Sequence, residues 1–125
     1  MGKKVVVVDD NENNLLLEID LLEFAGNEVF GASNATEGIA LTRKEIPDIV
    51  VMDVRLPDMK GTEAAALLRQ YPETKNIPIV FVTASVMAEG RESIVSIPNS
   101  GFIGKPINTR TFVNDVFNFI KDDEK

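Results

Sequence analysis

Two adjacent aspartates, Asp9 and Asp10, a third at Asp53, a hydroxyl at Thr83 and an ammonium at Lys105 are the side chains here most suited to chemistry. Asp9, Asp53 and Thr83 each end an apolar run: Val5 to Val8, Ile49 to Met52 and Ile79 to Val82. Lys105 ends a shorter run, Gly101 to Gly104. Carboxylates brought to one place repel each other unless a cation sits among them. Mg²⁺ suits such a set, taking about six oxygen ligands at ~2.0 to 2.1 Å, of which one or two are usually carboxylates. Taken singly, each residue also has a local reading. Asp9-Asp10 can cap a helix, Thr83 can be a strand-end hydroxyl, and Lys105 can be a surface lysine. Their joint placement at strand ends is what favours a site.

What the sequence lacks narrows the chemistry further. Its 125 residues contain no Cys and no His, which excludes zinc fingers, thiol nucleophiles, disulfides and His-based triads. Carboxylates, hydroxyls, Lys, Arg, backbone groups or an oxygen-bound metal must therefore do the work. A net charge of −7 opposes direct contact with a phosphate backbone, so nucleic-acid binding is not expected. The N-terminus carries two lysines and four valines and then meets Asp9, short of the apolar length of a signal peptide or membrane helix. A cytoplasmic protein with no membrane insertion is expected.

The elements that must position these groups follow from periodicity. The three long runs are β-branched and do not alternate, as strands buried on both faces of a parallel sheet do. Shorter strands are expected at Glu28 to Ala32 and Gly101 to Gly104. Helical periods lie between them at Leu15 to Phe24, Ala35 to Glu45, Thr62 to Tyr71, more weakly at Met87 to Ile97, and at Phe112 to Ile120. Gly26-Asn27 closes the first helix, Asn34 with Glu37 resembles a capping box, and prolines separate the later segments. Five strand-helix units fit one α/β domain, taken as residues 1–121, with 122–125 as a solvated tail. In an open parallel sheet the functional crevice lies beyond the carboxyl ends of the strands, where Asp9, Asp10, Asp53, Thr83 and Lys105 would share a rim.

Four stretches in order, VVVVDD (Val5 to Asp10), MDVRLPDMKG (Met52 to Gly61), VTA (Val82 to Ala84) and FIGKP (Phe102 to Pro106), resemble the receiver domains of two-component response regulators. The resemblance spans essentially the whole chain. It implies a flavodoxin-like (CheY-like) sheet of order 2-1-3-4-5 with helices on both faces. It also implies that Asp53 accepts a phosphoryl group from a histidine kinase or histidine phosphotransfer protein. Asp9, Asp10, Asp53 and the backbone carbonyl of Arg55 would hold Mg²⁺ or Mn²⁺, Lys105 would supply a second cation, and Thr83 would bond a phosphate oxygen. Thr83 and Phe102 would form the conformational switch read by a downstream protein target, and Lys105-Pro106 would be a cis peptide. Such a protein catalyses only its own phosphorylation and dephosphorylation. No effector domain is expected after residue 121, and output is expected through a bound partner or onward transfer. One departure from the family is Lys60, which stands before Gly61 where many receivers carry Asp, removing an N-cap acceptor.

Two alternatives belong to other classes. A pseudo-receiver would act as an interaction module without phosphorylation, and labelling by acetyl phosphate discriminates it. A haloacid-dehalogenase-type phosphatase would want an Asp two residues after its nucleophile, where this chain has Arg55, and would turn over a small phosphomonoester. Two further expectations concern surfaces. The segment Met87 to Ile97, rich in poor helix formers, is expected to be the least stable element and part of the switch. The first helix carries two apolar stripes, one of Leu15, Ile19 and Leu22 and another of Leu17, Leu21 and Phe24. The family's pattern puts Leu17 and Leu21 in the core, leaving Leu15 and Ile19 to dock a partner.

Overall fold

The computed structural model describes residues 2–84 and 99–119. The expected helix at Met87 to Ile97 and the tail at 122–125 lie outside the described residues. Among the described residues the elements follow in the order β1 (Lys4–Val8), α1 (Glu12–Phe24), β2 (Glu28–Ala32), α2 (Ala35–Glu45), β3 (Ile49–Asp53), α3 (Gly61–Leu68), β4 (Ile79–Thr83), β5 (Ser100–Gly104) and α4 (Phe112–Phe117). All pairings are parallel, in the order β2-β1-β3-β4-β5. The strands with neighbours on both sides, β1, β3 and β4, are the continuous apolar runs. The edge strands β2 and β5 are only partly buried.

Successive side chains of a strand point to opposite faces, and the core divides accordingly. Val6, Val8, Val50, Met52, Ile79 and Phe81 pack with Ala35 of α2 and Ala64, Ala65 and Leu68 of α3. Val5, Val7, Ile49, Val51, Val80 and Val82 pack with Leu22 of α1 and Phe112 and Val116 of α4. The four valines of β1 are 0–1 % exposed, and each such side chain contributes ~1.5–3 kcal/mol by leaving water. Gly38 lets α2 approach this strand closely, since a Cβ there would lie 2.5 Å from a methyl of Val8.

Helix boundaries follow their caps. Asn11, not Asp9 or Asp10, is the N-cap of α1, its side chain accepting from the Asn14 amide at 3.0 Å. The helix thus starts at Glu12, three residues before the apolar period begins. Asn34 caps α2 by accepting from the Glu37 amide at 2.8 Å, while the Glu37 carboxylate reaches back to the Ser33 amide at 3.0 Å. At its far end α2 stops on Ile46, a left-handed residue (φ 47°) that is 46 % exposed. At α3, Lys60 offers no side-chain acceptor, as its sequence implies, and only the return bond from its amide to Glu63 forms, at 3.0 Å.

The facing of α1 reverses the expectation for Leu15, Ile19 and Leu17, while Leu21 packs against the core as expected. Leu15 and Ile19 are partly buried and pack with Leu22 against the sheet, near enough to Gly31 of β2 that a Cβ there would meet the Ile19 side chain at 2.7 Å. Leu17 is 38 % exposed, Leu16 53 % and Phe24 95 %, whereas Leu21 is partly buried like Leu15 and Ile19. Leu15 and Ile19 therefore form no outward docking stripe. Spacings of three and four residues put Leu15, Glu18, Ile19 and Leu22 on one face, and Glu18 is itself buried there, 2 % exposed.

Candidate functional site

Strand register brings the expected residues to one rim. Val8 pairs Met52, so Asp9 and Asp53, the next residues, stand side by side at the ends of β1 and β3. Asp53 pairs Val82, which sets Thr83 one step further along β4, and Thr83 pairs Gly104, just before Lys105. The Lys105 amide donates to the Thr83 carbonyl at 2.8 Å and fixes the turn out of β5. The Lys105-Pro106 peptide is cis, as the resemblance implies.

Carboxylate oxygens of Asp9, Asp10 and Asp53 lie within 4.8 Å of one another, with Asp9 and Asp53 buried and Asp10 exposed. The Lys105 ammonium donates to Asp53 Oδ2 at 3.0 Å and to Asp9 Oδ2 at 3.4 Å. The Arg55 amide donates to Asp53 Oδ1 at 3.3 Å, and the Asn11 amide to Asp9 Oδ1 at 2.9 Å. Burial raises the Asp53 carboxyl above its usual range, although the hydrogen bond and charge of Lys105 oppose the rise. Burial alone would lower Lys105. The hydrogen bond and charge of Asp53, with those of Asp9, outweigh it, so the ammonium is held above its usual value and stays charged. Three carboxylates thus cluster with one ammonium, which pairs with two of them, an all-oxygen donor set with surplus negative charge that fits a hard divalent cation.

Thr83 is buried at this rim, and Phe102 lies beside Phe81 in register, partly buried against the α2/α3 side of the core. Asp9, Asp10, Asp53, Thr83 and Lys105 are thus brought together, and Phe102 sits two residues behind on β5. Leu15 and Ile19 are apart from the rim, inside the fold.

A family model for the response regulator receiver domain matches residues 5–117. The chain belongs to that family. The receiver is 34 % identical over 122 residues to the polar-differentiation response regulator DivK of Brucella anthropi, covering 98 % of this chain and 99 % of DivK. Its fold superposes on the chemotaxis response regulator CheY4 of Vibrio cholerae with a TM-score of 0.89 at 27 % identity, covering 95 % and 99 % of the two chains. A CheY-like receiver domain protein of Methanospirillum hungatei gives 0.87 at 28 % identity, over 99 % and 96 %. The protein is thus a receiver domain of two-component signalling, and neither alternative class is favoured by these matches. Among the described residues no helix is long and apolar enough to cross a membrane.

Two residues near the rim were not among those expected. Glu18, buried in α1, lines a cavity of about 280 Å³ with Asn14, Leu17, Lys105 and Ile107. Burial first, then the charges of Asp9 and Asp53, push its carboxyl up to about 8, against a lowering effect of Lys105. The signal for it was an acid at inward spacing between Leu15 and Ile19. Asp58, after β3, bonds the start of α2 instead of its own loop.

Proposed function

We propose that this receiver accepts a phosphoryl group on Asp53 and that the added charge drives a conformational switch. The observation that carries the reading is the ammonium of Lys105, 3.0 Å from Asp53 within a three-carboxylate cluster at the strand ends. In the transfer an Asp53 carboxylate oxygen attacks phosphorus, the bond from phosphorus to the donor's imidazole nitrogen breaks, and its electron pair leaves on that nitrogen. Phosphoryl transfer is governed by positioning and charge neutralisation, the two things this rim supplies. Lys105 offsets charge on the incoming oxygens, and the Thr83 hydroxyl donates to one of them, a bond strengthened by the ionised acceptor. Asp9, Asp10, Asp53 and the Arg55 carbonyl would hold Mg²⁺ or Mn²⁺, which when bound neutralises charge on carboxylates and phosphate. Thr83 and Phe102 are the switch pair, carrying the change at the rim toward β5.

The phosphodonor is a histidine kinase or histidine phosphotransfer protein, and the phosphorylated form acts on a downstream protein target in the cytoplasm. The receiver catalyses only its own phosphorylation and dephosphorylation. Incubation with acetyl phosphate and Mg²⁺, followed by intact-mass measurement, should add one phosphoryl group to the wild type and none to Asp53→Asn. Equal labelling of the two proteins would sink the assignment of Asp53.

A further inference from the structure

We infer that Asp58 is a positioning residue for the cation site, clamping the loop that carries the Arg55 carbonyl onto the start of α2. Its Oδ1 accepts from the Ala35 amide at 2.9 Å, and its Oδ2 accepts from the Thr36 amide at 2.8 Å and the Thr36 hydroxyl at 2.6 Å. The first amides of a helix have no partners inside it. In α2 the third is met locally by Asn34, whereas the first two are met by a carboxylate from a loop 22 and 23 residues away. A negative charge at a helix N-terminus also meets the positive end of the helix dipole. The bond from the Thr36 hydroxyl, and then those from the two amides, hold the Asp58 carboxyl down at about 2, so it is ionised throughout the physiological range.

What this clamp fixes is the stretch between Asp53 and α3. That stretch is closed at its neck by the Gly61 amide donating to the Val54 carbonyl at 2.7 Å and by an antiparallel bridge between Arg55 and Lys60. Leu56 and Met59 anchor it on the core, and Gly61 packs so tightly that a Cβ would collide with the Asp53 carbonyl oxygen. To these contacts within the loop and to the core, Asp58 at the loop's tip adds a tie to a different element, the start of α2. Arg55 stands at the base, where its amide already contacts Asp53. Holding the tip therefore restrains the backbone at Arg55, whose carbonyl is one of the proposed cation ligands. Partners behind a metal site's own ligands typically change affinity by ~10- to 100-fold, and the exposed position of this clamp places it at the lower end.

The inference rests on the reading of the rim as a divalent-cation site, and the test separates the two. Mg²⁺ alone is titrated by calorimetry into wild type, Asp58→Ala, Asp58→Asn and Thr36→Val, with urea unfolding measured in parallel. Asp58→Ala should weaken Mg²⁺ binding by about tenfold, and Asp58→Asn by less, because the amide oxygen still accepts. In the metal-free proteins the Arg55 amide resonance should shift in Asp58→Ala while those of β2 stay in place. Wild-type Mg²⁺ affinity in Asp58→Ala, with only a lowered urea midpoint, would overturn the inference and leave the cation site standing. No Mg²⁺ binding by the wild type would overturn the cation site itself. If Asp58→Ala does not fold, Thr36→Val decides: it removes one bond, should weaken Mg²⁺ about twofold or more, and an unchanged affinity refutes the clamp.

Discussion

Glu18 makes the stability of this receiver depend on pH in a direction opposite to that of most carboxylates. Its carboxyl takes up a proton near pH 8 in the fold, against 4.5 for an ordinary glutamate. Between those values the native protein keeps a proton that the unfolded chain has released, so the unfolded state binds fewer protons and stability falls as pH rises. The contribution is fully present below about pH 4.5 and is lost as pH rises through about 8. At ~1.4 kcal/mol per pH unit, the whole interval corresponds to roughly 5 kcal/mol, of which the span from pH 5 to 8, where the slope flattens near its upper end, carries about 3. Glu18→Gln keeps the volume but cannot ionise. Urea unfolding followed by circular dichroism at pH 5, 6, 7 and 8, with EDTA present, should show the variant gaining on the wild type at each step, by ~3 kcal/mol in all. Asp53, also raised, contributes in the same sense in both proteins. A difference that stays flat from pH 5 to 8 would refute the reasoning.

Two other substitutions test the packing and the rim. Leu22→Ala, at a fully buried position of α1, should cost ~2–5 kcal/mol in urea unfolding, whereas Leu16→Ala on the exposed side should stay within ~0.5 kcal/mol. Similar losses for the two would mean that the helix is turned differently. Lys105→Met removes the cation shared by Asp53 and Asp9, and the rate of labelling by acetyl phosphate should fall by ~100-fold or more. A rate within a few-fold of wild type would remove Lys105 from the transfer.

The strands were the most legible part of the sequence. Val5 to Val8, Ile49 to Met52 and Ile79 to Val82 are buried on both faces, and that burial leaves no polar residue to confuse the period. The rim followed from them, because in a parallel sheet the residues ending adjacent strands are neighbours by register. Helix α1 is legible only in part: Leu21 packs inward as its pattern implies, but Leu15 and Ile19 face in and Leu17 faces out. Six apolar residues between Leu15 and Leu22 support two stripes almost equally, and Glu18 counts as polar although it points inward. Its burial depends on Asp9 and Lys105, which come from other elements and leave no trace in the helical period. Asp58 escaped for a related reason. A capping residue is recognised by its distance from the helix it caps, and here that distance is more than twenty residues along the chain.

The left-handed ending of α2 at Ile46 shows where this molecule leaves room for engineering. A β-branched side chain in that region costs roughly 1–2 kcal/mol, which glycine, the usual residue there, does not incur. Ile46 precedes β3, so the penalty sits at the amino end of the sheet, a full strand length from Asp53. Glu18, by contrast, touches the rim itself. The first penalty can be relieved without disturbing any group of the site, whereas relieving the second changes what Asp9 faces. Robustness and chemistry therefore occupy opposite ends of one sheet, and the end without chemistry is where a designer can add the first and leave the second alone.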